Sequence, residues 1–319
     1  MKTTTDYIQD SFIGFAIGDA LGVPVEFETR EWLQENPVEG MLGGMRYNQP
    51  PGTWSDDSSM VFCTAESLCG GYNLEDIARQ FSRWKNERFW TPHGRVFDIG
   101  IQVNKAIERI DRSLELGLRI KPIPEQGVNE KENGNGSLMR ILPLAFFLKD
   151  KPDEEAYRII CEVSALTHAH ARAVIGCYIY IRFMMSLMDG KDKYQAYTDV
   201  RNFIPDFCRN NNHTNEYQSY SRILENNIAD FPESTIRSSA YVLHTLEAAM
   251  YCVKRNDNFR NTVLQAVNLG EDTDTVAALA GGLAGMIYGK DQIPEEWINV
   301  LARKDDILDL ANRFSNSLK

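Results

Sequence analysis

Between residues 277 and 285 the chain reads Ala-Ala-Leu-Ala-Gly-Gly-Leu-Ala-Gly, an apolar helical segment with almost no side-chain bulk. Small side chains let one helix approach another closely, so such a segment belongs inside a bundle, with its amino terminus carried deep into it. That amino terminus is the acidic, hydroxyl-bearing stretch Gly270-Glu271-Asp272-Thr273-Asp274-Thr275. Elsewhere apolar residues recur at three- and four-residue steps and strand-like alternation hardly occurs, which makes the expected fold all-α.

The spacing predicts a first helix starting after Thr5 or Asp6, with Ile8, Phe12, Phe15, Ala16 and Asp19 on its steps, and ending near Gly22 ahead of Pro24. A second begins at Asp56-Asp57 and stops at Gly70-Gly71, and Asn73 with Asp76 resembles a capped restart for 74–84. Further helical patterns cover 100–116, 139–148, 153–166, 169–188, 216–229, 235–254, 259–267, 275–288, 295–301 and 305–314. The connections at 22–54, 86–99 and 121–138 are long, and functional residues concentrate on such loops. The polar run 209–215 reads as a surface turn.

Nothing in the 319 residues reads as a linker, so one domain is expected over 1–319. A content of 43% hydrophobic and 25% charged residues fits a soluble globular chain with a large core. The net charge of −11 argues against a nucleic-acid partner, which needs clustered Lys and Arg, and suits cation binding. The amino-terminal residues lack an apolar signal-type stretch. The apolar run Val174 to Met185, interrupted by Arg182, is expected to be a buried helix too short for a bilayer. Six cysteines without a Cys-x-x-Cys pair read as reduced thiols, and a cytoplasmic location is expected.

Ser55-Asp56-Asp57, inside Gly52-Thr53-Trp54-Ser55-Asp56-Asp57, forms a second cluster like that at 272–275. Neighbouring carboxylates repel unless a cation or hydrogen-bond donors offset them. Either cluster alone is explained as a helix cap that complements the dipole. Two in one chain favour helix starts that face each other and aim oxygen ligands at a binuclear centre, with ions about 3.5 to 4 Å apart. All-oxygen ligands suit Mg²⁺ or Mn²⁺ rather than Zn²⁺.

Glu26 follows a helix-ending turn and is either a solvated loop residue or a carboxylate delivered to a cleft. Asn133-Gly134-Asn135-Gly136-Ser137 opens onto Leu138-Met139-Arg140. Its backbone N–H groups suit an anion such as a diphosphate, while Asn-Gly is equally a plain turn. Arg140 is placed by sequence to pair with phosphate or with an acidic cluster. Of His168 and His170, which point to different helix faces, His168 beside Thr167 is the functional choice.

Taken together, Gly18-Asp19-Ala20-Leu21-Gly22 with Glu26-Phe27, Gly52 to Asp57, Phe97-Asp98-Ile99-Gly100, Gly134 to Arg140, Thr167-His168 and Gly270 to Thr275 resemble the ADP-ribosylglycohydrolase family. Order and spacing agree from near residue 11 to near 289. The resemblance implies a compact orthogonal helical bundle, two Mg²⁺ (or Mn²⁺) ions, and hydrolysis of the bond joining ADP-ribose to an acceptor. By position it implies Ser55, Asp56, Asp57, Asp272, Asp274 and Thr275 as metal ligands. The family often has Thr where Ser55 stands, and either hydroxyl can coordinate. Asn135, Gly136, Ser137 and His168 would surround the ADP-ribose, and Glu26, Asp56 and Asp57 are the nominees for proton transfer. Glu132 is a secondary nominee for opening the ribose ring.

The expected partner is ADP-ribose or an ADP-ribosylated protein, with arginine the first acceptor. The Trp54 loop and the Asn-Gly-Asn-Gly-Ser form look closer to bacterial nitrogenase-regulating relatives. Serine-linked or small-molecule-linked ADP-ribose, or a non-catalytic ADP-ribose-binding protein, are the alternatives. An isoprenoid-diphosphate enzyme is disfavoured, because Asp56-Asp57-Ser58-Ser59-Met60 lacks the further aspartate its motif requires.

Overall fold

The computed structural model describes residues 2–125, 128–211 and 213–319. Positions 126 and 127 of the 121–138 connection, and Asn212 of the polar turn, lie outside them. The described chain is all-α: sixteen α-helices and short 3-10 turns, with isolated bridges at Gly44–Gln49 and Gly134–Tyr241 and no strand.

The first helix, Thr4–Gly22, starts at a capping box in which Thr3 and Asp6 satisfy each other's backbone N–H groups. It lies against the small-residue helix, Thr273–Tyr288, backbone to backbone. A Cβ on Gly18 would sit 2.0 Å from the Ala277 carbonyl oxygen, and one on Gly14 would sit 2.3 Å from that of Gly281. From the other side, a Cβ on Gly285 would come 2.0 Å from the Asp10 carbonyl oxygen. Glycines four residues apart thus line one face of each helix, and each fits the other's groove because no side chain stands between them. At the deep end Thr273 Oγ1 donates to the Gly22 carbonyl at 2.8 Å, which pins the start of one helix to the end of the other.

Neighbouring helices wrap this pair in one continuous apolar core: Asp56–Leu68, Ala171–Met188, Val242–Arg255, Phe259–Asn268 and Lys304–Ser317. Ala171–Met188 is long and apolar enough to cross a membrane by length and composition, contrary to the length read from its apolar run. Here 83% of that stretch is buried within the protein, so its apolar surface is covered by other helices.

Other expectations change as well, and the 235–254 pattern becomes an α-helix only from Val242. The 139–148 segment divides at Pro143 into a turn, Leu138–Arg140, and a short helix, Pro143–Phe147, because proline supplies no N–H to continue a helix. The 216–229 segment is interrupted as Thr214–Ser219, Ser221–Leu224 and the turn Ile228–Asp230. Two helices were not expected: Arg30–Glu35, capped by Thr29, and Lys193–Asn210, which contains Pro205 yet opens on a capping box of Asp192 and Gln195.

The backbone contact makes a direct prediction. Gly18→Ala should destabilise the protein by about 1–3 kcal/mol or more in urea unfolding, since the added methyl meets a main-chain oxygen that cannot move aside. Gly70→Ala, whose Cβ would find its nearest neighbour at 3.5 Å, should change stability little. Equal stability of the two variants would contradict the contact.

Candidate functional site

Where the two central helices meet the start of Asp56–Leu68, a cavity of about 520 Å³ opens, and acidic side chains from four segments face it. Asp19, on the first helix, organises the floor. Its carboxylate accepts from the backbone N–H of Ser55 at 2.8 Å and of Ser58 at 3.0 Å, and from the Ser58 hydroxyl at 2.6 Å. Those contacts hold the start of Asp56–Leu68 against the glycine-lined pair. Ser55 caps that helix by accepting from Asp57 N and donates its hydroxyl proton to Asp57 Oδ2 at 3.0 Å.

The second cluster arrives from the other end of the chain. Thr275 Oγ1 stands 3.2 Å from both Asp57 Oδ2 and Asp272 Oδ1, so one hydroxyl joins the two clusters. Asn135 donates its side-chain amide to Asp272 and to Thr245 Oγ1, which ties the glycine loop to the acidic site. Glu26 is brought in by a pair of backbone bonds between its loop and that of Asp272, Phe27 N to Glu271 O at 2.7 Å and Glu271 N to Glu28 O at 2.8 Å. Phe27 and Glu271 both adopt left-handed backbone conformations, φ 67° and 60°, uncommon for residues with side chains and concentrated at functional sites.

Asp19, Asp57 and Asp274 present oxygens within 4.8 Å of one another, as do Glu26, Asp98 and Asp274. Asp274 belongs to both groups. Burial pushes the Asp19 carboxyl up to about 6, against its hydrogen bonds from Ser58 and Ser55. Burial also pushes Asp272 up to about 6, against those from Asn135 and Thr275. Glu26 rises to about 8, through burial first and the charge of Asp98 next. Asp56, Asp57 and Asp274 rise well above the carboxylate range for the same reasons, and burial raises Asp98. Ionised together, these carboxyls would carry more negative charge than the nearby Arg46 guanidinium, which lowers Glu26 and Asp98, could offset. Asp57 Oδ1 is in addition buried without a hydrogen-bond partner. An all-oxygen set of carboxylates and hydroxyls with an orphaned buried oxygen fits a hard divalent cation.

His168 lies across the cavity, packed on the glycine loop so closely that a Cβ on Gly136 would be 2.7 Å from its ring. Burial, with the charge of Arg140, pushes its pKa down to about 3, so the ring is neutral. Arg140 Nη2 donates to Thr167 Oγ1 at 2.7 Å, and the same hydroxyl lies 2.8 Å from His168 Nδ1. With Thr167 donating to Nδ1, the neutral ring carries its proton on Nε2, and His168 lines the cavity.

Of the residues nominated from sequence, Glu26, Asp56, Asp57, Asp272, Asp274, Thr275, Asn135, Gly136 and His168 line the cavity. Ser55 stands one layer behind, bonded to Asp57. Ser137 is not brought to the cavity; its hydroxyl faces Cys177 Sγ at 3.6 Å in the core. Arg140 reaches neither a phosphate position nor an acidic cluster. It is fully buried behind the loop and donates to the carbonyls of Gly136 and Val163 while stacking on Phe81. Glu132 is exposed and outside the cavity, and Asp98 supplies the acidic group there instead. Asp98, Asp19, Tyr47 and Arg46 went unnominated, although an aspartate on an apolar helix face, as at Asp19, is a usable signal of a buried partner.

An all-α bundle here gathers acidic oxygens from distant segments over one pocket, in groups that could hold a metal ion. The chain belongs to the ADP-ribosylglycohydrolase family, whose model matches residues 1–319, and it is a glycosyl-bond hydrolase by class. It is 32% identical over 315 residues to the ADP-ribosylarginine hydrolase Tri1 of Serratia proteamaculans, covering 97% of this chain and 79% of that one. It is 28% identical over 298 residues to the ADP-ribosyl-[dinitrogen reductase] glycohydrolase of Rhodospirillum rubrum, covering 92% and 90%. A solved structure described as an ADP-ribosylglycohydrolase-related protein complex superposes with a TM-score of 0.79 at 28% identity, covering 100% of both chains.

The raised carboxyls set a pH dependence for the metal-free protein. The folded state holds protons that the unfolded chain releases near 3.8 for Asp and 4.5 for Glu, so this stability is fully present below those values. It is lost as pH rises through about 6, for Asp19 and Asp272, and about 8, for Glu26. Thermal melts in a chelator should therefore fall in midpoint from pH 5 to pH 8, and added Mg²⁺ or Mn²⁺ should raise the midpoint more at pH 8 than at pH 5. A midpoint that climbs over this range in chelator would contradict the uncompensated charge.

Proposed function

We propose that the protein hydrolyses the bond between ADP-ribose and the arginine side chain of a modified protein, aided by two Mg²⁺ or Mn²⁺ ions. The observation that carries this reading is the convergence of both acidic clusters on one cavity around the buried, unpartnered Asp57 Oδ1. The relative named as an ADP-ribosylarginine hydrolase supports arginine as the acceptor. Ser55, Asp56, Asp57, Asp272, Asp274 and Thr275 would hold the ions. When bound, such cations supply positive charge that offsets the carboxylates and draws electron density from the sugar.

The protein's own groups divide the remaining work. His168 offers its Nε2 proton, and Asn135 and Gly136 form the wall against which the nucleotide lies. In the reaction a water oxygen bonds to the anomeric carbon as the carbon–nitrogen bond breaks. The nitrogen takes a proton and departs as a guanidinium, while the water gives one proton to a carboxylate and keeps the other. Glu26, hydrogen-bonded by Tyr47 and beside Asp98, would protonate the leaving nitrogen; its burial and those contacts support the role. Asp56 or Asp57, both lining the cavity, would take the proton from water.

Purified protein with Mg²⁺ or Mn²⁺ should release ADP-ribose from arginine-linked substrate and stop when the metal is chelated. Failure to release it from arginine-, serine- or guanosine-linked substrate would end the hydrolase reading. Release from serine-linked substrate alone would replace the acceptor. Asp57→Asn and Asp274→Asn should each lower kcat by about 10²-fold or more with the helical circular dichroism intact, and full rates in both would remove the metal assignment.

A further inference from the structure

At the mouth of the cavity Phe27 is 53% exposed, in a left-handed backbone conformation that its bulk disfavours. A large aromatic ring held at the surface by strained backbone is placed there for contact. What it contacts is a guanidinium: the Arg46 head group lies 4.7 Å from the Phe27 ring centre and 5.8 Å from that of Tyr47. Tyr47 in turn reaches from the same turn into the site, donating its hydroxyl to Glu26 and lying 3.2 Å from Asp98. The turn is closed by Gly44 N to Gln49 O at 2.7 Å, with Met45 and Asn48 also left-handed. A planar cation therefore rests on two rings at the edge of a carboxylate pair, open to solvent on its other side.

We infer that Phe27 and Tyr47, with Glu26 and Asp98 at their edge, form the subsite for the acceptor guanidinium, and that Arg46 is an internal stand-in displaced by the ADP-ribosylated arginine. This rests on the arginine reading above and adds the residues that select the acceptor. A guanidinium is flat and weakly hydrated, so it stacks on aromatic faces and presents its N–H groups in plane to carboxylates. A serine acceptor offers neither a flat cation nor a set of N–H donors, so the same rings leave it unrecognised.

The probe is agmatine, a small alkylguanidine, used with the metal-loaded protein. Agmatine should inhibit release of ADP-ribose competitively, and Phe27→Ala should weaken that inhibition about tenfold. The same variant should raise KM for arginine-linked substrate about tenfold with a smaller change in kcat, should alter serine-linked turnover less, and should be rescued by Phe27→Trp. Arg46→Ala removes the stand-in and should tighten agmatine severalfold. Agmatine inhibition that is unchanged in Phe27→Ala, equal effects on both linkages, or no tightening in Arg46→Ala would each overturn the subsite. Melting temperatures confirm that the variants are folded. If the wild type turns over no substrate, the hydrolase reading fails, and calorimetric titration of agmatine into wild type, Phe27→Ala and Arg46→Ala still decides the subsite.

Discussion

Direct contact between the backbones of two helices, from opposite ends of the chain, is the constraint on which everything else depends. Gly14 and Gly18 on one side and Gly281 and Gly285 on the other remove the side chains that keep helices at their usual separation. The gain is more than packing. With the axes so close, Asp19 reaches the start of Asp56–Leu68, Thr273 reaches Gly22, and Asp274 reaches both carboxylate groups of the site. A bulkier interface would separate these oxygens by a side chain's width.

The same geometry concentrates negative charge in a place water does not freely reach. Burying carboxylates without a counter-charge costs stability, and the fold tolerates it because the surrounding core is large and continuous. Donors are spent selectively. Asp19, which holds the start of Asp56–Leu68, receives three hydrogen bonds, whereas Asp57 keeps one oxygen bare. That contrast separates a group that shapes the floor from one left ready for a ligand. Arg140, the buried cation behind the glycine loop, donates to carbonyls and to Thr167 and makes no hydrogen bond to the acidic groups.

Much of this was legible from the chain. The two acidic clusters stood out because hydroxyls and carboxylates crowd at helix starts, and the small-residue run pointed to a deep helix. The partner face was overlooked because Gly14, Gly18 and Gly22 are dispersed among bulky apolar residues, and Gly22 was read as a helix end. Lys193–Asn210 went unseen because Pro205 breaks its pattern, although the Asp192–Gln195 capping box announces its start. Asp98 carries no signal of its own in the sequence, since a single loop aspartate has no periodicity and gains meaning only through its position beside Glu26 and Asp274. Glu132 was preferred for its place next to the glycine loop, yet adjacency along the chain does not decide which way a side chain faces. Tyr47 and Arg46 depend on a turn whose left-handed residues, Met45 and Asn48, are not glycines.

The pinning of Thr273 to Gly22 spans 251 positions. During synthesis the first helix leaves the ribosome long before its partner exists, and a helix buried on nearly every face has no stable home in the meantime. The acidic site thus has no early form: the amino-terminal cluster meets Asp272 and Asp274 only when the carboxy-terminal helix docks. Closing so long a loop makes that docking a late event. Until then the apolar faces of the first helix lack the partner that covers them, and hydrolytic competence arrives with the last central helix.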